Sequence, residues 1–399
     1  CKRLTYVGDV MTASSGPLIA EIVAADLLQD ASRPRRGWFG AILATIQWLF
    51  GLVSMIVLLA VAATIPVLQL LSLGYLLEVS GRVARTGRLR DGFIGIRNAA
   101  RVGSLLLGTG LFLLPILFVR EMWLTAQLID PSSDVTRGWR IGLVVVSVLL
   151  LSHILWAWLR GGRFRHFAWP APLKCWRQIR DGGLFTDARD ATLHFVSGLR
   201  LPHYFWLGLR GFVAALVWLV IPVTLLAVAT RLPEPAAVLV GLLGGLLLAT
   251  VLLYLPLLQA HFAAEDRFGA MFEVRAVRRL YRRAPIACWF ALLITLSFAL
   301  PLYLLKIELL PREAAWLPSL VFVVFIFPAR LLTGWAMGRA RHHPDPRNII
   351  FRWLARLAAI PVVIIYSLIV YLTQYLSWYG AYSLYEQHAF LVPVPFLGL

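Results

Sequence analysis

Asp187, Asp190 and His194 stand at i, i+3 and i+7 in the stretch "FTDARDATLHF", a spacing that brings all three to one face of a helix. Two carboxylates and an imidazole so placed can hold a divalent metal or exchange protons as acid and base. The same residues can instead form the wet face of a loop helix, with the carboxylates paired to Arg180, Arg189 or Arg200. His261, Glu265 and Asp266 come at the end of a long apolar run, where i, i+4 spacing can coordinate a cation or mark a solvated helix end. In "RHHPDPR", His342, His343 and Asp345 can meet a phosphate head group, while Pro344 and Pro346 mark a turn.

Three ionisable residues lie inside apolar runs, where charge is costly: His153, Arg210 and Arg330. Arg210 and Arg330 are each two turns from a span end, so both are expected to snorkel to the surface. His153 is deeper; a hydrogen bond to a neighbouring helix is expected, with a proton or substrate role as the alternative. Cys1, Cys175 and Cys288 have neither paired nor ligand spacing, so no disulfide framework, metal centre or cofactor is expected. The chain contains no G-x-S-x-G, H-E-x-x-H, G-x-x-x-x-G-K-S/T or C-x-x-C-H pattern, which removes the common hydrolase, zinc-protease, phosphate-loop and haem readings.

The elements that must carry these residues are apolar. Sixty per cent of the 399 residues are hydrophobic and 15% charged, well to the oily side of a soluble domain. The apolar residues gather in runs long enough to cross a hydrocarbon core of about 30 Å: 39–63, 65–81, 104–120, 139–159, 204–230, 236–260, 286–305, 316–337 and 357–377. The first two are nearly continuous, and both their flanks are basic. Cytoplasmic loops are the basic ones, so 39–81 is expected to turn back as a helical hairpin or re-entrant pair. With that turn the loops alternate. Five segments, 1–37, 82–103, 160–203, 261–285 and 338–356, hold thirty of the 38 Lys and Arg residues, which places them on one side. The net charge of +18 is thereby read as a membrane-insertion and lipid signal and not as a nucleic-acid footprint.

The densest patch is "EDRFGAMFEVRAVRRLYRRAP", residues 265–285. On a helix Arg275, Arg278, Arg279, Arg282 and Arg283 fall within about 140° of arc. Val274, Val277, Leu280, Tyr281 and Ala284 take the other face. Such a helix is expected to lie in the interface, guanidiniums on lipid head groups and the apolar face toward acyl chains. An internal echo also appears: "PVLQLLSLGYLLEVSGRVAR" at 66–85 matches "PLLQAHFAAEDRFGAMFEVR" at 256–275 through P-x-L-Q and a basic run-out, and "PARLLTGWAMGRAR" at 328–341 is a looser version.

The stretches "PVLQLLSLGYLLEVSGRVARTGRLRDGF" and "LLQAHFAAEDRFGAMFEVRAVRRLYRRAP" resemble the two signature regions of the bacterial and archaeal integral-membrane family known as domain of unknown function 4013. Gly74 and Tyr75 carry the first region; Phe262, Ala263, Phe268, Gly269, Ala270 and Phe272 carry the second. The resemblance runs over roughly residues 60–300, although an acidic, tryptophan-containing stretch is replaced here by "RLRDGF" at 88–93. It implies a helical membrane architecture and no particular activity.

The expected molecule is all-α, a polytopic transmembrane helical bundle of about eight to nine membrane segments including the N-terminal pair. Residues 1–37 form a cytoplasmic segment with one short amphipathic helix; Met11 within it can serve as the start. Residues 38–377 form the membrane domain and 378–399 an extracytoplasmic tail. The bacterial inner membrane is the expected location and the phospholipid bilayer, with anionic lipids, the expected partner; other membrane proteins or further copies of the chain are candidate partners, and nucleic acid is not. Three functions fit: a non-enzymatic lipid-interacting or scaffold subunit; a permease built on the proline-broken spans and His153; or an enzyme on lipid phosphate using Asp187, Asp190 and His194.

Overall fold

A computed structural model describes residues 38–65, 67–169, 184–304, 316–373 and 384. Within them the chain forms twelve α-helices and two short 3-10 turns, with no strand among the described residues. Two compact units divide at residue 49. The first contributes only the start of α1 (Trp38–Thr64), its exposed Ile42, Leu43 and Ile46 suiting a lipid-facing helix.

The second unit is built around α2 (Gln69–Thr86). Just before it the chain reverses. Ser72 Oγ donates to Leu59 O at 2.7 Å and Tyr75 OH lies 2.7 Å from Met55 Sδ, so α2 runs back antiparallel along the second half of α1. The second half of α1 and α2 therefore form a helical hairpin, the turn expected within 39–81. Its second arm is unlike a lipid-facing span: Leu73, Leu76, Leu77, Val79 and Val83 are all 1% exposed or less. Protein surrounds α2 on several sides, from α7 (Leu201–Ala229), α8 (Ala236–Glu265) and α11 (Trp316–His342).

Small residues make this possible. A Cβ on Gly74 would collide with the Tyr204 carbonyl, and one on Gly208 with that of Leu70, so the α2 and α7 backbones touch where both lack side chains. Helices in lipid gain little from burying oil against oil and associate through such close packing. The small and polar residues that let α2 pack inside protein, Ser72, Gly74, Ser80 and Gly81, also make it less apolar than a free span.

Seven described helices are long and apolar enough to cross a membrane: α1, α3 (Ile96–Ile129), α4 (Asp134–Leu159), α7, α8, α11 and α12 (Ile349–Thr373). An eighth span arises if α9 (Val274–Arg283) and α10 (Pro285–Leu304), bent by 112° at Ala284, count as one. The polytopic helical bundle stands. The second of the nine expected segments, α2, is not among these apolar helices; it is wrapped by protein instead of lipid. Several helices also outrun their apolar stretches. The expected loop 121–138 shrinks to the turn at 130–133, closed by Ser133 Oγ accepting the Thr136 N–H at 3.1 Å. Pro115, Pro222, Pro256, Pro301, Pro328 and Pro361 lie inside helices that continue through them.

The internal echo is structural, in a different register. α2 ends at Gly87 (φ 70°), Arg88 is extended and a 3-10 turn spans Leu89–Gly92. α8 ends at Asp266 (φ 51°), Arg267 is extended and a 3-10 turn spans Phe268–Phe272. The equivalent positions are Gly87 with Asp266 and Arg88 with Arg267, three helical turns away from the alignment that P-x-L-Q suggests. The proline motif matched composition; the matched geometry lies in the run-out.

Candidate functional site

Several helix ends meet at one arginine-rich end of the second unit. Arg85, in the last turn of α2, donates to Ala263 O near the end of α8 at 2.9 Å and pairs with Glu78 at 2.7 Å. Arg210, near the start of α7, pairs with Asp266 at 2.6 Å. Arg341, near the end of α11, pairs with Glu265 at 2.8 Å. Gly87 lies against the His342 ring, and the Arg347 N–H donates to Arg282 O at 3.0 Å. Arg101 Nε reaches Gly161 O at 2.7 Å, joining the start of α3 to the turn after α4. Parts of the basic segments 82–103, 160–203, 261–285 and 338–356 are thus in direct contact.

His261 sits at the centre of this end, 6% exposed. Its Nδ1 lies 3.2 Å from Arg341 Nη2, and its Nε2 lies 3.1 Å from Glu273 Oε2. A guanidinium only donates, so Nδ1 accepts and Nε2 carries the proton given to Glu273. That hydrogen bond, helped by Arg267 at 3.2 Å, holds the Glu273 carboxyl below the usual carboxylate range. Glu265 is therefore absorbed in an ion pair with Arg341 and His261 in hydrogen bonds to Arg341 and Glu273, structural cross-links that leave their expected cation site occupied by guanidinium.

α9 carries the five arginines of the densest patch. Arg275, Arg278, Arg279 and Arg282 are exposed and Arg283 is half-buried. The apolar face departs from expectation. Val277 is fully buried, Ala284 is 5% exposed, and Val274, Leu280 and Tyr281 pack on the same core. That face meets α8 and α11, so it is turned to protein and not to acyl chains. The physical reason is the 112° corner at Ala284, which lays α9 across the helix ends and offers its apolar side an aliphatic floor.

The intramembrane residues separate. Arg210 reaches the helix end through Asp266, as snorkelling requires. Arg330 does not snorkel: it is 2% exposed, and its Nη1 donates to Gln259 Oε1 on α8 at 2.6 Å. A neighbouring amide inside the bundle replaces water as its acceptor, which satisfies a buried charged donor without a path to the surface. His153 donates from Nε2 to Phe167 O on α5 (Phe164–Ala168) at 2.8 Å, with its ring 4.8 Å from that of Phe112. Asp190 is exposed on α6 (Leu184–Gly198) and bonds Arg189 at 3.1 Å. The side chains of Asp187 and His194 lie outside the described residues, as do 1–37, 170–183, 305–315, 374–383 and 385–399.

His166 is a feature that sequence reasoning missed. It is 9% exposed, and burial together with Arg160, Arg165, Arg163 and Arg101 pushes its imidazole from 6.5 down to about 4. The signal was present in "RGGRFRH", where the positive charge is dense, but the burial of the histidine depends on how α3 and α4 pack.

The signature residues of the resemblance have structural duties here. Tyr75 OH donates to Ile94 O at 2.8 Å, and Phe272 stacks on Trp218 with centroids 6.0 Å apart. No curated protein and no solved structure matches the chain. Residues 196–307, which cover α7 to α10, match the family model described as "Protein of unknown function (DUF4013)", so the resemblance holds over its second signature region while the first lies outside the matched residues.

Proposed function

We propose that this multi-pass membrane protein binds anionic lipid at its arginine-rich end and works by binding, as a lipid-organising or assembly subunit, without catalysis. One observation carries the reading: the outer face of α9 presents Arg275, Arg278, Arg279 and Arg282 to the surroundings. None of the four has a carboxylate partner among the described residues. Next to an anionic leaflet each such side chain is worth about 1 kcal/mol. The excess of arginine at this end supports reading it as the cytoplasmic face of the bacterial inner membrane.

The test is lipid enrichment around the full chain in nanodiscs prepared from a mixture of phosphatidylcholine and phosphatidylglycerol. The wild type should retain excess phosphatidylglycerol, less so as salt rises. Changing Arg275, Arg278, Arg279 and Arg282 to Gln should abolish the excess while the protein stays monodisperse. Equal enrichment in both proteins would rule the reading out.

A further inference from the structure

A crevice of about 450 Å³ opens between the α9–α10 corner and the end of α11. Its walls carry two chemistries. Arg283, Arg339 and Arg347 supply guanidiniums; Trp289, Trp335 and Phe351 supply rings. A second hollow of about 360 Å³ shares Trp335, Arg339 and His343 and extends to Gly87 at the end of α2. No Asp or Glu is among the described residues lining either one.

The first turn of α10 forms part of the wall. Pro285 occupies the first helical position, and the Cys288 N–H is the first to reach back, to Ala284 O at 3.0 Å. The N–H groups of Ile286 and Ala287 precede it and have no carbonyl of their own helix to meet. Both residues line the crevice. A helix start of this kind attracts anions through its free N–H groups and its dipole. Two further atoms point to an absent partner: Trp289 Nε1 and His343 Nε2 are buried and make no hydrogen bond. Buried polar atoms in native proteins are nearly always satisfied, so two unmet ones just behind the wall of a single cationic crevice mark donors that a small side-chain rotation brings to a ligand oxygen.

The geometry points to one phospholipid held in this crevice by its phosphate, an inference that rests on the anionic-lipid reading and narrows it from a diffuse surface to a discrete site. Arg283, Arg339, Arg347 and the start of α10 receive the phosphate, with Trp289 Nε1 and His343 Nε2 as further donors. Guanidinium forks match phosphate oxygens in pairs. The acyl portion leaves along Ile286, Phe290 and Phe351, which are 50%, 41% and 43% exposed on the outer surfaces of α10 and α12. That apolar exit selects a lipid over free phosphate. The Arg347 N–H bond to Arg282 O fixes the 343–348 turn over α9 and keeps the crevice formed.

Native mass spectrometry of the full chain in neutral detergent, titrated with phosphatidylglycerol, tests this. One lipid should stay bound per chain, and millimolar inorganic phosphate should not displace it. Arg339→Gln with Arg347→Gln should weaken retention about tenfold or more, two charge-assisted bonds being lost. Trp289→Phe, which keeps the ring and removes the donor, should weaken it to a smaller degree and serves if the double variant fails to fold. Retention unchanged in these variants would overturn the site, and displacement by inorganic phosphate would overturn the assignment to lipid. The nanodisc enrichment set by α9 is a separate readout: if it persists while the single retained lipid is absent, the crevice alone is wrong. If enrichment is absent and the lipid is retained, the surface reading alone is wrong.

Discussion

The His166 imidazole is surrounded by four arginines and almost no water, so its charged form is disfavoured from both directions. Above pH 6.5 the folded and unfolded chains both keep it neutral. Between 6.5 and about 4 the unfolded chain takes a proton that the folded chain refuses. Stability therefore falls as pH drops through that window, and the loss is complete below its lower edge. The full effect is on the order of 3 kcal/mol. The thermal midpoint of the wild type should fall between pH 7 and pH 4.5 by several degrees more than that of His166→Gln, other groups titrating alike in both. Parallel curves would refute the assignment. Single residues were legible in the sequence as types more than as partners. His153 was expected to bond a neighbouring helix and does; Arg330 was expected at the surface, yet its acceptor Gln259 lies 71 residues earlier on a helix whose approach no local pattern reveals.

α2 shows what a helix must give up to stand inside a membrane bundle instead of at its edge. Its closest approach is to α7 at Gly74 and Gly208, where neither backbone has room for a methyl group. Gly142 on α4 provides the contrast, since a Cβ there would meet nothing within 4 Å. Gly74→Leu should force the two helices apart and cost on the order of 1–3 kcal/mol or more. Gly142→Leu should stay within about 0.5 kcal/mol of wild type. Thermal denaturation in detergent, with size-exclusion profiles, separates them, and equal behaviour would mean that α2 is not the packing centre. Hydrophobic runs and loop charge were enough to expect a turn within 39–81. They could not show that its second arm is a core helix, because lipid and protein neighbours favour overlapping residue types. The apolar face of α9 was misassigned for the same reason: Val277 and Leu280 suit an acyl chain and a helix floor equally well.

In the molecule as a whole, loop charge and helix-end contacts are independent features. Loop charge is a property of the sequence alone. The contacts Arg85–Ala263, Arg341–Glu265, Arg210–Asp266 and Arg347–Arg282 need no insertion rule. Both gather parts of the same basic segments at one end. From that end α3 runs 34 residues to the turn at 130–133, about 50 Å along its axis and enough to cross the bilayer. Asp345 in the arginine-rich turn and Ser132 in the far one should then face opposite compartments. With Cys1, Cys175 and Cys288 replaced by Ser, a cysteine at position 345 should resist an impermeant maleimide in intact bacterial cells and react once the membrane is opened. A cysteine at 132 should react in intact cells. Labelling of both before lysis would place the two turns on one side and undo the transmembrane assignment of α3. The reverse pattern would leave the bundle intact and put the arginine face, together with its lipid, on the outer leaflet.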